Sequence, residues 1–261
     1  MCGIVGAVAN RNVVDILVEG LRRLEYRGYD SCGFALLAEK GLERARTTAR
    51  VSDLADQGKK MSGNLGIAHT RWATHGKPDT VNAHPHFSGD LIGLVHNGII
   101  ENYEELREEL KKAGYVFTSQ TDTEVIVHLF EDNLKDSTTP FEAFEKTLAH
   151  LEGAYAVLLV TGSSSDTIYY AKHGSPMILG KNKDGEILFG SSDAALIGKS
   201  NEVIYLEDGQ YGHASLNDLT LFNEKGEQQS LRFVPLSENK LSAQKEGYRF
   251  FMEIWPRLRN L

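Results

Sequence analysis

The sequence predicts an α+β domain in which helices are layered over β-sheet, and three observations carry that prediction. Helical and strand-like patterns are grouped along the chain instead of strictly alternating, which argues against a doubly wound parallel sheet. The clearest helical periodicities lie together between Leu106 and Leu151. From Ala154 to about Phe222 the chain reads as short strands separated by glycine-containing turns.

The elements follow in order. Gly3 to Ala9 is a short apolar run expected to form a buried strand, and a helix follows from about Val13 to Leu24, where Val13, Leu17, Leu21 and Leu24 share one face. Further strands are expected at Cys32 to Ala38, Leu65 to His69, Leu91 to Val95, Ala154 to Val160 and Thr167 to Ala171. Leu106 and Leu110 mark one helix. Val125, Ile126, Leu129 and Phe130 mark a second, and Phe141, Phe144, Leu148 and Leu151 a third. Thr121-Asp122-Thr123-Glu124 fits a capping box at the start of the second.

The 261 residues are 41% hydrophobic and 25% charged, the balance of a globular protein with a substantial core. A net charge of -8 offers no basic surface for a phosphate backbone, so nucleic acid is excluded as a partner. No apolar run reaches the about 20 residues that span a bilayer, and no secretory leader is visible, so no membrane is expected and the expected location is cytoplasmic. Two cysteines, Cys2 and Cys32, make no disulfide framework. The residues leave oligomeric state open, a homo-oligomer included.

Chemistry enters at the second residue. An initiator methionine is usually trimmed before a small side chain, so Cys2 would carry a free α-amine and a thiol on one residue. An amine of pKa about 7.7–8.0 beside a thiol of about 8.5 can take the thiol proton, which makes an amide-cleaving nucleophile without a histidine. The plainer alternative is a small cysteine packed as a hydrophobe. Three polar islands interrupt apolar strands: Arg27-Gly28-Tyr29-Asp30-Ser31, Thr70-Arg71-Trp72-Ala73-Thr74-His75-Gly76, and His96-Asn97-Gly98, which ends the strand from Leu91. Asn97-Gly98 reads locally as a tight turn, yet the same pair can aim a side-chain amide and a backbone N–H at one point, as an oxyanion hole does.

Cys2-Gly3-Ile4-Val5-Gly6, Leu24 to Ser31 with its Tyr-Arg-Gly-Tyr-Asp core, His69 to Gly76, Asn82-Ala83-His84-Pro85-His86, His96 to Asn102 and Ser119 to Glu124 follow one another in an order that resembles a known family. It is the glutaminase half of the glutamine:fructose-6-phosphate aminotransferases, or glucosamine-6-phosphate synthases, among the class II (N-terminal-nucleophile) amidotransferases. The resemblance implies a four-layer αββα sandwich of the N-terminal-nucleophile hydrolase type over residues 2–235. It implies that Cys2 attacks the side-chain amide of L-glutamine while Asn97 and Gly98 hold the oxyanion. Arg71 would receive the substrate carboxylate and Asp122 its ammonium, with backbone groups around Thr74 and His75 assisting. Arg27 would support the amino-terminal site and Trp72 would sit on a flap over glutamine. No cofactor and no metal are implied.

Residues 236–261 are expected to form a linker and an atypical tail, with the sugar isomerase domain of that family absent. Fructose 6-phosphate would then be a partner only if such a domain were supplied. Two other functions stand beside glutamine hydrolysis: an inactive or regulatory fragment docking on a separate isomerase chain through its aromatic tail, and a glutaminase half serving another acceptor.

Other patterns carry less. His69, His75, His84, His86 and His96 lack the spacing of a metal site. Asp193 to Ser200 imitates a phosphate loop but has Asp193 where the first glycine belongs. Glu101, Glu104, Glu105, Glu108 and Glu109 read as a solvated helix face beside Lys111 and Lys112.

Overall fold

Two antiparallel sheets packed face to face, each covered on its outer side by helices, make four layers in the computed structural model. It describes residues 2–164 and 166–236. The expected tail therefore lies outside the described residues, apart from Leu236. The first half of the chain runs β1 (Gly3–Val8), α1 (Val14–Leu24), β2 (Ser31–Ala38), β3 (Gly41–Thr47), α2 (Val51–Gly58), β4 (Leu65–Arg71), β5 (His86–Ser88) and β6 (Ile92–Ile100). Three helices come next, α3 (Tyr103–Lys112), α4 (Glu124–Leu134) and α5 (Pro140–Leu148). The remainder is β7 (Gly153–Thr161), β8 (Ile168–His173), β9 (Ile178–Lys181), β10 (Ile187–Gly190), the short α6 (Asp193–Leu196), β11 (Glu202–Tyr205), β12 (Gln210–Ala214) and β13 (Val234–Pro235).

One sheet has eight strands in the order β13-β11-β9-β10-β1-β4-β2-β3, the other five in the order β12-β8-β7-β6-β5. Alternation along each strand separates three apolar cores. On β1, Val5 and Ala7 face α1, whereas Ile4 and Val8 face the opposite sheet. On β6, Ile92 and Leu94 pack under α3, α4 and α5, whereas Val95 meets the eight-stranded sheet. The outer cores are thus helix against sheet and the central one sheet against sheet, the expected αββα order. Each fully buried leucine, such as Leu17 or Leu158, contributes about 1.5–3 kcal/mol to this arrangement.

Two expectations need correction. Asn97-Gly98 makes no turn and does not end its strand: β6 runs on to Ile100, pairing Asn97 with Ala156 and Gly98 with Tyr155 of β7. Gly98 has φ +135°, and a Cβ there would sit 1.9 Å from the carbonyl oxygen of Ala154, so only glycine lets the strand pass this point. The capping box at Thr121 is likewise absent. Thr123 precedes α4 without a capping bond, Thr121 Oγ1 bonds His86 Nε2 at 3.1 Å, and Glu124 accepts from the main chain of Thr118 and Ser119 at 2.9 and 2.7 Å. Tertiary partners outcompete the local motif. By contrast, Glu104, Glu105, Glu108 and Glu109 do form an exposed face of α3, with Lys111 bonding Glu108 at 2.8 Å.

Candidate active site

The site forms where the N-terminal end of β1 meets the C-terminal end of β4 and, across the gap between sheets, the late part of β6. Gly3 pairs with Thr70, which brings Cys2 beside Arg71 and Trp72. The main-chain N–H of Trp72 donates to Cys2 Sγ over 3.2 Å, and the thiol lies 3.5 Å from the Trp72 carbonyl. No histidine or carboxylate bonds this sulfur among the described residues, so any base must come from elsewhere. Burial raises the thiol pKa, while the Trp72 N–H and the Arg71 charge pull it down. Cys32 is a different case. It is buried on β2, and burial pushes its thiol up to about 12, which leaves it inert near neutrality.

From the second sheet, Asn97 Nδ2 donates to the Cys2 carbonyl at 3.4 Å, and its Oδ1 meets His69 Nε2 at 2.9 Å. Arg27 Nη1 reaches the same carbonyl at 3.5 Å. A pocket of about 470 Å³ opens over these groups, lined by Cys2, Arg27, Trp72, Thr74, Asn97 and Gly98 together with Ile99, Glu101, Ala154 and Gly174 to Pro176. Trp72 stands at its rim with its side chain half in solvent. Six of the nine expected site residues therefore converge on one cavity.

The other three stand back from it. Arg71 is buried, and its guanidinium donates to the carbonyls of Lys77 at 3.2 Å, Gly76 at 3.3 Å and His75, with Asp30 Oδ1 3.6 Å away. Asp122 is buried too, accepting the Ile100 N–H at 2.9 Å, with His75 Nδ1 3.9 Å from its other oxygen. Arg71 thus gathers the loop that follows it, and His75 within that loop faces the buried Asp122. Glu101 departs from its expected place on a solvated helix face: it precedes α3 and lines the pocket. Gly174 to Pro176 carried no signal beyond a glycine near a proline.

Asp30 was visible within its island but had no expected role. It accepts from the Ala73 N–H, and its own N–H donates to the Arg71 carbonyl at 2.8 Å, so it anchors both ends of the bend carrying Trp72. The histidines also group more tightly than their spacing suggests, with His69 stacked on His84 at 4.0 Å and His84 against His86 at 4.6 Å. Burial keeps these rings neutral, with His69 and His86 each lowered to about 3, and their partners are amide and hydroxyl groups. No cluster of three or more metal-binding side chains occurs among the described residues, nor is any helix there long and apolar enough to cross a membrane.

Comparison with known proteins bears on this geometry. A family profile described as a glutamine amidotransferase domain matches residues 70–198. The chain is 48% identical over 255 residues to the glutamine--fructose-6-phosphate aminotransferase [isomerizing] of Pseudomonas putida, and 47% identical over 256 residues to that of Campylobacter jejuni. Each alignment covers 97% of this chain and 42% of the relative. This chain is similar to the glutamine amidotransferases. The chain superposes on the glutamine phosphoribosylpyrophosphate amidotransferase of B. subtilis, solved with ADP and GMP, with a TM-score of 0.68 at 25% identity, over 91% of this chain and 50% of that one. A class-II glutamine aminotransferase domain protein from Silicibacter pomeroyi shares the fold at TM-score 0.56 and 14% identity, over 90% of this chain and all of its own. The N-terminal-nucleophile sandwich expected from sequence is thus the fold of this chain, which spans less than half the length of the curated relatives it matches.

Proposed function

We propose that the domain hydrolyses the side-chain amide of L-glutamine to glutamate and ammonia, with Cys2 as nucleophile. The observation that carries this is the meeting of two sheets at one point: Cys2, just ahead of β1, and Asn97 from β6 share the wall of a single pocket. After loss of Met1, the α-amine of Cys2 takes the thiol proton, directly or through one water. The thiolate adds to the amide carbon. Asn97 Nδ2 and the Gly98 N–H receive the charge that develops on oxygen, a task that fixed donors perform without reorganising. The amine returns the proton to the leaving nitrogen, ammonia departs, and water cleaves the γ-glutamyl thioester to regenerate the thiol.

Recognition of the amino acid is assigned to Arg71 and Asp122. A guanidinium held by three carbonyls is well placed to exchange them for the substrate α-carboxylate, which returns two charge-assisted bonds. Asp122 takes the α-ammonium, with the main chain near Thr74 and His75 assisting, Arg27 supporting the terminus and Trp72 covering the substrate. Residues 2–235 form this glutaminase unit and 236–261 a linker and tail. The ammonia serves fructose 6-phosphate when an isomerase domain receives it, in a cytoplasmic setting that keeps Cys2 reduced.

The test is direct. Purified chain with L-glutamine is assayed for glutamate and ammonia, and intact mass is measured before and after 6-diazo-5-oxo-norleucine. The expected result is turnover, a mass lacking Met1, and one label on Cys2. Full turnover by protein that retains Met1, or none by protein that lacks it, overturns the proposal and leaves an inactive docking fragment as the better description.

A further inference from the structure

The Asn97 carboxamide is held at both ends, and what holds its far end decides whether the near end attracts or repels a negative charge. Its Oδ1 lies 2.9 Å from His69 Nε2 and its Nδ2 3.4 Å from the Cys2 carbonyl oxygen. His69 projects from β4, is wholly buried, and stacks on His84. It does not line the pocket and makes no hydrogen bond to Cys2. Burial holds the ring neutral, so it carries one proton.

The location of that proton has two consequences. With it on Nε2, the ring donates to Asn97 Oδ1, and the amide nitrogen must face Cys2. With it on Nδ1, Nε2 becomes an acceptor, the amide turns over to donate to it, and Oδ1 faces Cys2 instead. A carbonyl oxygen there would oppose both the Cys2 carbonyl and an oxyanion. The main chain of His96 lies near the ring, but Nδ1 makes no hydrogen bond. The Cys2 carbonyl can only accept, and Asn97 already donates to it.

We propose that His69 is a positioning residue for the glutaminase reaction: its Nε2–H locks the Asn97 carboxamide with Nδ2 turned toward the nucleophile, which makes the oxyanion site. This rests on the proposed glutamine hydrolysis at Cys2 and assigns to a buried neighbour the orientation on which that chemistry depends. The lock acts on the charged intermediate and not on substrate binding, so its loss lowers kcat and leaves KM for glutamine nearly unchanged.

The test is a double-mutant cycle on glutamine hydrolysis. His69→Leu removes the donor, His69→Gln places an amide N–H near the position of Nε2, and each is made with Asn97 intact and with Asn97→Ala. Wild-type turnover is the first arm: if none is seen, glutamine hydrolysis itself is wrong and this inference falls with it. Given turnover, His69→Leu is expected to lower kcat about 10- to 100-fold with KM within about threefold, short of the about 10²- to 10³-fold loss on removing an oxyanion donor outright. His69→Gln recovers most of that loss. In the Asn97→Ala background His69→Leu costs nothing further, because the group it orients is gone. Iodoacetamide alkylation of Cys2, which displaces iodide and builds no oxyanion, proceeds at the wild-type rate in His69→Leu. Wild-type kcat in His69→Leu, or an equal loss in both backgrounds, overturns the positioning role while glutamine hydrolysis stands.

Discussion

Gly28 lies so close to Trp72 that a Cβ on it would come within 2.7 Å of the indole Cζ3. The glycine also has φ +73° and ψ +146°, an extended positive-φ conformation that costs other residues about 1–3 kcal/mol. The Arg27-Gly28 island and the Trp72 bend are therefore one packed unit, and the main chain of that bend holds the Cys2 sulfur. Gly28→Ala is expected to lower unfolding free energy by about 1–3 kcal/mol and to move Trp72 off its seat. Tryptophan fluorescence and glutaminase rate, read together, check this: unchanged emission with full activity would separate the two segments.

Asn97 and Gly98 are expected to fail in different ways when substituted. Asn97→Ala removes one donor and leaves the strand intact, so turnover should fall about 10²- to 10³-fold while glutamine binding survives. Gly98→Ala puts a carbon against the Ala154 carbonyl at 1.9 Å and breaks the pairing of β6 with β7, so folding should suffer first. Steady-state kinetics on the first and thermal unfolding on the second distinguish the roles. Wild-type kcat in Asn97→Ala would remove that residue from the oxyanion site.

The layering was legible because its signal is repeated: β1, β2, β4, β7 and α1 each carry an uninterrupted apolar pattern, and grouping follows from their order. β3 escaped notice because Gly-Leu-Glu-Arg-Ala-Arg-Thr, at a sheet edge, keeps its charges half in solvent and shows no run. Asn97-Gly98 misled for a physical reason. The dipeptide that favours a hairpin turn also permits a kinked strand, and only its pairing with β7 decides between them. Residue types at the site were readable from the resemblance, but their surroundings were not. Nothing near His69 in sequence announces a partner 28 residues away, and nothing near Arg71 announces that it grips its own loop.

Arg71 has two attachments to lose. Its guanidinium holds the carbonyls of His75, Gly76 and Lys77 in the free chain and, in the proposed complex, exchanges them for the substrate carboxylate. A charged hydrogen bond of about 1.5–3 kcal/mol corresponds to a rise in KM for glutamine of roughly 10- to 100-fold in Arg71→Ala. Arg71→Lys should recover little, because a point charge cannot reproduce a fork on a carboxylate. Steady-state kinetics on the two variants make the comparison, and an unchanged KM in Arg71→Ala would take this residue out of substrate recognition.

Cys32 provides a pH test independent of catalysis. Its thiol has a pKa of about 12 in the folded chain, raised by burial, against about 8.5 when unfolded. The unfolded chain therefore gives up this proton first as pH rises. The stability that Cys32 contributes is complete below about pH 8.5 and is lost progressively between there and about 12, at up to about 1.4 kcal/mol per pH unit. Replacing it with alanine costs packing on β2 at every pH but removes the titration. Urea unfolding of wild type and Cys32→Ala at pH 7, 8.5 and 10 should thus show the alanine variant weaker at pH 7 and the gap closing as pH rises. Tyrosines and lysines titrate equally in both proteins, so they drop out of the difference, and a gap independent of pH would mean that the folded chain stabilises the Cys32 thiolate as well as water does.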